Sequence, residues 1–448
     1  MTTAPTSADR PRTGLVRRLN FAAAWGEGLD GFDLGVISVA LPFITKALGL
    51  TPVEAGLIGA SSLIGIFVGA PLAGFLTDRY GRRLLFLVDV IAFIVLGLAQ
   101  GIVTDGIQLF VIRVLLGVAI GAEYSIGAAM LSEFAPAKGR GRRLSGLLVG
   151  WYGGYLIAVV VAYVLIDGLG ISWRWALACS ALPALVTALV RIGFPESPRW
   201  LLTHGRGQEG RAIVDRYLGG DRYFEQENFG SEEERRTASL FRGENLKRLV
   251  FLSVFWACNV APYFAIFTFA PTVLKTLQLS DPAVGTIFVN ALAAIGAVVG
   301  MLSIERIGRR KQAVPPWWIM AGALAVIGLW AGAPGWVIVL CFAVFSFLNA
   351  LSGNLTAVYP IEILPTPVRS SGVGVAAAVS RVGAAIGTFL LPVGIDTIGT
   401  GACMLIAAAV CVVGGVVSQL MAPETTNRDL VDTSSSPLRA APEPAATR

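Results

Sequence analysis

Asp78-Arg79-Tyr80-Gly81-Arg82-Arg83 comes back as Glu305-Arg306-Ile307-Gly308-Arg309-Arg310, 227 residues later (305 − 78). Two further signatures return at nearly the same spacing. Glu133-Phe134-Ala135-Pro136 with Arg140 reappears as Glu362-Ile363-Leu364-Pro365 with Arg369. Pro195-Glu196-Ser197-Pro198 reappears as Pro423-Glu424-Thr425-Thr426. Three matches at one spacing require a duplicated unit of about half the chain. Each polar signature lies between long apolar runs, so the duplicated unit is a bundle of membrane helices.

Composition agrees. The 448 residues are 55% hydrophobic and only 14% charged, whereas a soluble domain carries about 25% charged residues. A span needs roughly 20 apolar residues. Twelve are read, near 20–46, 54–76, 84–103, 107–131, 144–166, 173–194, 248–274, 283–303, 313–332, 335–358, 371–396 and 401–422. The expected fold is therefore all-α: two six-helix bundles related by a pseudo-twofold axis along the membrane normal. Duplicated bundles with a site at the repeat interface are the architecture of alternating-access secondary transporters.

The net charge of +6 does not indicate nucleic acid. Basic residues cluster in alternate connections without aromatic interleaving: Arg17/Arg18, Arg79/Arg82/Arg83, Lys138/Arg140/Arg142/Arg143, residues 199–247, Arg306/Arg309/Arg310/Lys311, Arg369 and Arg428. The other connections hold little beyond Lys46 and Lys275. The positive-inside rule then puts both termini in the cytoplasm of a multi-pass plasma-membrane protein. The organisation follows: a cytoplasmic N-terminal tail (1–19), a first bundle (20–198), a cytoplasmic linker (199–247), a second bundle (248–424) and a cytoplasmic tail (425–448) whose Ser/Pro/Ala composition predicts disorder. Within the linker, Gln208 to Leu218 is read as a short amphipathic helix, and His204 as a solvated loop residue. The five cysteines sit inside apolar runs with no ligand spacing, so neither a disulfide framework nor a metal site is expected. Residues 1–18 lack the short apolar core and small-residue cleavage site of a signal peptide.

The loop Gly74-x-Leu76-x-Asp78-Arg79-x-Gly81-Arg82-Arg83 resembles the signature loop of the major facilitator superfamily. Gly81 permits a tight turn between helices, and Asp78 can cap the next helix or pair with an arginine across the bundle. Pro195-Glu196-Ser197-Pro198-Arg199-Trp200-Leu201, Glu362-x-x-Pro365-Thr366-x-x-Arg369 and Pro423-Glu424-Thr425 resemble the sugar porter branch, in the broad sense of sugar and other transporters. The resemblance covers about residues 20 to 430. It implies that Asp78, Arg79, Gly81, Arg82, Glu133, Arg140, Glu196, Glu305, Arg306, Gly308, Arg309, Glu362, Arg369 and Glu424 form cytoplasmic contacts. These lock one conformation and part in the other.

Polar groups inside the bilayer are costly and usually functional. Span 1 carries Glu27, Asp30 and Asp33, with Asp33 deepest. A carboxylate in low dielectric can load and release a proton near neutral pH. Glu27 is read as an interfacial cap or snorkelling residue. On span 4, Gly117 and Gly121 make a face for close helix approach, and Arg113 shares that stripe. The resemblance assigns the proton to Asp33 and pairs it with Arg113. Asp30 is the next proton carrier considered. Glu123 either pairs with Arg82 or Arg142 or serves as a second proton site. Arg381 in span 11 either pairs with a fixed acid or receives a substrate carboxylate, which its planar fork suits. The segment resembles the arginine-bearing eleventh helix of organic anion transporters.

Departures from the sugar porter pattern set the substrate expectation. The Gln-Gln-x-x-Gly-x-Asn pattern of helix 7 is replaced by Phe255-Trp256-Ala257-Cys258-Asn259-Val260-Ala261-Pro262-Tyr263, retaining only Asn259. Gly353-Asn354-Leu355-Thr356 stands where Gly-Pro-x-x-Trp is expected. Span 5, Gly150-Trp151-Tyr152-Gly153-Gly154-Tyr155, lacks the Gly-Pro-x-x-Gly-Gly of drug antiporters. The substrate-binding set is Arg381, Asn259, Tyr263, Trp256, Tyr152, Tyr155 and Asn354. The reading is a monomeric proton-coupled importer of a small polar metabolite, with an organic or aromatic acid ahead of a sugar or polyol. It works in the bilayer without nucleic acid, with the proton gradient as energy source and no cofactor. A non-transporting membrane sensor is the remote alternative, its mark being an added signalling domain. No nucleophile constellation, phosphate loop or metal cluster suggests an enzyme.

Overall fold

The computed structural model describes residues 13–134, 140–217, 240–277, 282–330, 332–365 and 368–426. Among the described residues, twelve helical spans are long and apolar enough to cross a membrane. Spans 1 to 6 are Arg17–Leu48, Pro52–Thr77, Arg82–Ile102, Gly106–Tyr124, Ser145–Gly168 and Trp173–Arg191. Spans 7 to 12 are Gly243–Thr268, Pro282–Ile307, Arg309–Leu329, Gly335–Ile363, Ser371–Thr397 and Gly399–Met421. No strand occurs among the described residues. The tail residues 1–12 and 427–448 and linker residues 218–239 lie outside the description, so the expectations placed on them do too.

Pairing inside each half repeats. Span 1 lies on span 5 and span 2 on span 4, as span 7 lies on span 11 and span 8 on span 10. The halves meet where span 2 packs on span 11 and span 5 on span 8. Exchanging 2 with 8 and 5 with 11 reproduces this interface, which is the signature of a pseudo-twofold axis.

Sequence pattern explains which faces meet. Span 3 exposes Leu84, Val88, Ile91, Val95 and Leu98 at steps of three or four, one stripe of a helix. Its opposite stripe buries Phe86, Asp89, Val90, Phe93 and Gly97. Lipid is as apolar as leucine, so hydrophobicity alone cannot choose the inner face. The cost of turning Asp89 to lipid, about 2.5–3.5 kcal/mol at a helix centre, decides it. Elsewhere, local signals set the boundaries. Span 2 begins with Thr51 and Glu54 capping one another's backbone N–H groups, followed by Pro52, which together satisfy donors that a helix start leaves open.

Two details differ from the sequence reading. Span 6 is two helical pieces, Trp173–Ala178 and Ala181–Arg191, not one. Gly117 and Gly121 do allow close packing, since a β-carbon on Gly117 would stand 2.2 Å from Ser62 O. That neighbour is span 2, whereas Arg113 reaches span 1. The linker helix is observed at Gly207–Tyr217. His204 is exposed, and its ring stacks on Trp200 with centroids 4.3 Å apart.

Candidate functional site

Asp33 and Arg113 are both wholly buried and face each other across spans 1 and 4, with Oδ2 and Nη2 3.6 Å apart. That separation is longer than a charge-assisted hydrogen bond, so the pair is held by charge and not locked. Gln100 accepts a hydrogen bond from Arg113 Nη1 at 3.1 Å, which fixes the guanidinium while leaving the carboxyl free to change state.

A second cluster of ionisable side chains lies further along span 1, toward the face where span 1 begins and span 12 ends. Arg191 Nη2 donates to Glu123 Oε1 at 2.5 Å, and Arg191 Nη1 stands 3.5 Å from Asp89 Oδ2. Arg191 also lies 3.6 Å over the Phe86 ring and donates to Phe86 O at 3.0 Å. Glu123 thus pairs with Arg191, where the sequence expectation named Arg82 or Arg142; the side chain of Arg142 lies outside the described residues. Arg191, the last residue of Ala181–Arg191, points into the bundle. Glu27 is corrected as well. It is 6% exposed, a buried residue and not an interfacial cap. Asp30 is fully buried beside this group. Asp89 and Arg191 were missed, although an aspartate inside the apolar run of span 3 was the available signal.

Aromatic rings occupy the axis between the halves. Trp151, Tyr152 and Tyr155 of span 5 meet Tyr263 of span 7 with ring centroids 5.9, 5.6 and 6.3 Å apart, and Tyr263 stacks on Phe267 at 4.2 Å. The indole N–H of Trp151 and the hydroxyl of Tyr263 are buried without a hydrogen-bond partner among the described residues. Such groups are expensive unless something completes them. Asn259 and Asn349 exchange amide-to-carbonyl bonds of 3.3 and 2.9 Å. A β-carbon on Gly353 would be 3.4 Å from Asn259 Oδ1 and 3.6 Å from the Tyr152 hydroxyl, so spans 5, 7 and 10 converge there. Asn354 does not join them. Its amide donates to Ala297 O at 3.1 Å, between spans 8 and 10, because its position after Gly353 faces the neighbouring helix. Trp256 is only partly buried and makes none of the ring contacts of this cluster.

Arg381 is 5% exposed and crosses from the second half to the first. Its Cζ lies 4.9 Å from the Tyr124 ring and 5.6 Å from the Phe264 ring, within cation–π range. Glu27 is within electrostatic reach, but among the described residues no acid stands in ion-pair contact with it.

At the face bearing the chain ends, the duplicated loops share one device. Gly81 has φ +92° and Gly308 φ +91°, a region that essentially only glycine occupies without strain. The chain then presents the first N–H groups of the next span to a remote carboxylate. Glu196 accepts from Arg82 N–H at 2.9 Å and Arg83 N–H at 3.2 Å. Glu424 accepts from Arg309 N–H at 3.0 Å and Arg310 N–H at 3.1 Å. Glu196 thus caps the start of span 3. Arg309 also forks onto Glu362 at 2.9 and 3.3 Å, and Thr425 donates to the same carboxylate. Arg79, Glu305 and Arg306 are exposed. The side chains of Asp78, Glu133, Arg140 and Arg369 lie outside the description.

Comparison with known proteins follows the same lines. The profile described as "Sugar (and other) transporter" matches residues 19–435. The putative metabolite transport protein YaaU of Escherichia coli (strain K12) is 37% identical over 421 residues, 93% of this chain and 94% of that protein. The arabinose-proton symporter of Bacillus subtilis (strain 168) is 30% identical over 440 residues, 93% of this chain and 94% of that one. Among solved structures, the proton:xylose symporter XylE superposes with a TM-score of 0.80 at 22% identity, covering 93% of this chain and 98% of that one. This chain therefore belongs to the sugar (and other) transporter family of the major facilitator superfamily, and is a multi-pass membrane transporter, not an enzyme.

Proposed function

We propose that this transporter is a proton-coupled importer of a small organic acid, with aromatic acids favoured. One observation carries the substrate class: Arg381 is buried at the junction of the halves, flanked by aromatic faces and without an ion-paired acid among the described residues. A buried guanidinium without its anion is costly, and a planar carboxylate matches its fork. The rings of Trp151, Tyr152, Tyr155 and Tyr263 supply a stacking wall for an aromatic ligand. The open hydrogen-bonding capacity of Trp151 and Tyr263 supplies polar contacts.

Asp33 carries the proton. With Asp33 ionised, Arg113 is held to span 1. A proton on Asp33 removes that attraction and frees spans 1 and 4 to move apart, so occupancy biases the two-state equilibrium. Residues 20–198 and 248–424 rock as units joined by 199–247, and the loop contacts of Gly81, Glu196, Gly308, Glu424, Arg309 and Glu362 part when that end opens. The basic connections put both termini in the cytoplasm and the protein in the plasma membrane. It works as a monomer, without a cofactor, on the proton gradient.

A proton-coupled sugar or polyol porter is the second reading. The relative named as an arabinose-proton symporter favours it, as does the convergence of Asn259, Tyr152 and Gly353, which suits a hydroxyl. A thermal-shift screen of the purified protein separates the two, because stabilisation follows occupancy. Aromatic or aliphatic acids should raise Tm while sugars and polyols leave it unmoved. Stabilisation by sugars alone would replace the first reading with the second.

A further inference from the structure

Asp30 is fully buried, and neither carboxylate oxygen has a hydrogen-bond partner among the described residues. Its direction is set by Gly26, one helical turn earlier on the same face of span 1. A β-carbon on Gly26 would lie 2.0 Å from Glu123 Oε1 and 2.5 Å from Arg191 Nη2. The face that bears Asp30 is therefore pressed against the Glu123–Arg191 pair, with Asp89 3.5 Å from the same guanidinium.

The titratable and charged groups around Asp30 come from several helices. Span 1 adds Glu27, span 3 Asp89, span 4 Glu123 and the Tyr124 phenol, span 6 Arg191, and span 11 Arg381. Span 5 meets span 1 with backbone at Gly28 and Gly31 and with the phenols of Tyr152 and Tyr155. Arg18 is exposed and spends its guanidinium on the carbonyls of Val190 and Ile192. Four carboxyls, Glu27, Asp30, Asp89 and Glu123, thus stand against two cations, Arg191 and Arg381. A surplus of two negative charges is not sustained in a low-dielectric bundle. Glu123 and Asp89 contact the guanidinium, whereas Asp30 contacts neither a cation nor a donor among the described residues.

We propose that Asp30 is a second proton-carrying carboxyl, distinct from Asp33, and that the Asp89–Glu123–Arg191 group is the charged frame that makes it bind and release that proton. The transport consequence, a second proton moved per substrate, rests on the proton-coupled reading. The proton site itself does not.

Infrared difference spectroscopy of the purified protein, titrated across neutral pH, reads protonated carboxyls directly through their carbonyl stretch. In Asp33→Asn a titrating protonated-carboxyl band should remain, and Asp30→Asn should lose one such band while keeping that of Asp33. Loss of every titrating band in Asp33→Asn, or an unchanged spectrum in Asp30→Asn, would overturn the proposal. If Asp30→Asn does not fold, Asp30→Glu keeps the acid but moves it, so the band should shift in frequency and midpoint. An unmoved band would equally overturn it. A band that sodium abolishes at fixed pH would identify a metal-cation site and also overturn it. Uptake in proteoliposomes distinguishes the two readings: absence of pH-driven uptake with the Asp30 band intact would sink proton coupling and leave the site standing.

Discussion

The two halves of this molecule are alike at the loops and unlike in the membrane. Gly81 with Glu196 and Gly308 with Glu424 repeat one geometry, down to φ values of +92° and +91° and carboxylates accepting from paired backbone N–H groups. Inside the bilayer the first half buries Glu27, Asp30, Asp33, Asp89, Arg113, Glu123 and Arg191, with one amide, Gln100. The second half buries five amides, Asn259, Asn290, Gln312, Asn349 and Asn354, with Arg248 and Arg381. Amides donate and accept but do not titrate. Duplication thus kept the loop geometry in both copies, while the buried carboxyls stand in the first half and most of the buried amides in the second.

The largest effect expected from this division is on Asp33. Asp33→Asn keeps the side chain's shape but cannot carry a proton, so accumulation driven by a pH gradient should vanish while counterflow exchange of substrate persists. Uphill uptake that survives would move the proton carrier elsewhere. The loops offer a symmetric test. A β-carbon on Gly81 or Gly308 would come within 2.4 or 2.6 Å of its glutamate oxygen and would also strain the backbone. Gly81→Ala and Gly308→Ala should each cost about 1–3 kcal/mol, measured by thermal unfolding in detergent. A large loss in one and none in the other would break the equivalence of the loops.

The smallest effect concerns the carboxylates themselves. Burial pushes Glu424 up, but hydrogen bonds from the Thr426 hydroxyl and from the N–H groups of Arg309, Arg310 and Thr426 outweigh it and hold the carboxyl below its ordinary 4.5. The stabilisation is therefore complete above pH 4.5 and is lost as pH falls through the lower folded value. Glu424→Gln should cost on the order of 1 kcal/mol at neutral pH, allowing for partial solvent screening. It should also flatten the acid limb of a stability–pH curve. An acid limb identical to wild type would show that the loop carboxylate does not contribute.

Much of this was legible in the sequence because lipid imposes simple rules. Apolar length gave the spans, and the repeated Gly-Arg-Arg loops gave the duplication. The Asp33–Arg113 pair, between spans 1 and 4, was legible only through family resemblance. What stayed hidden depended on rotation and depth. Arg191 ends an apolar run, and nothing in its neighbours says whether it snorkels outward or turns in to meet Asp89 and Glu123. Glu27 looked interfacial because its distance from the chain end was judged without the tilt and packing of span 1. Asn354 and Asn259 are both amides in apolar runs, and only the facing helix tells a packing amide from one at the axis.

The division of labour itself is tested most directly at Arg381, by measuring the affinity of one carboxylate ligand and of its amide analogue on wild type and Arg381→Lys. An ammonium retains the charge but not the fork. A charge-assisted contact contributes about 1.5–3 kcal/mol, so affinity for the carboxylate should fall roughly ten- to a hundredfold while the amide changes little. Equal losses for both ligands would contradict the account, leaving Arg381 a structural residue and the organic-acid reading without its main support.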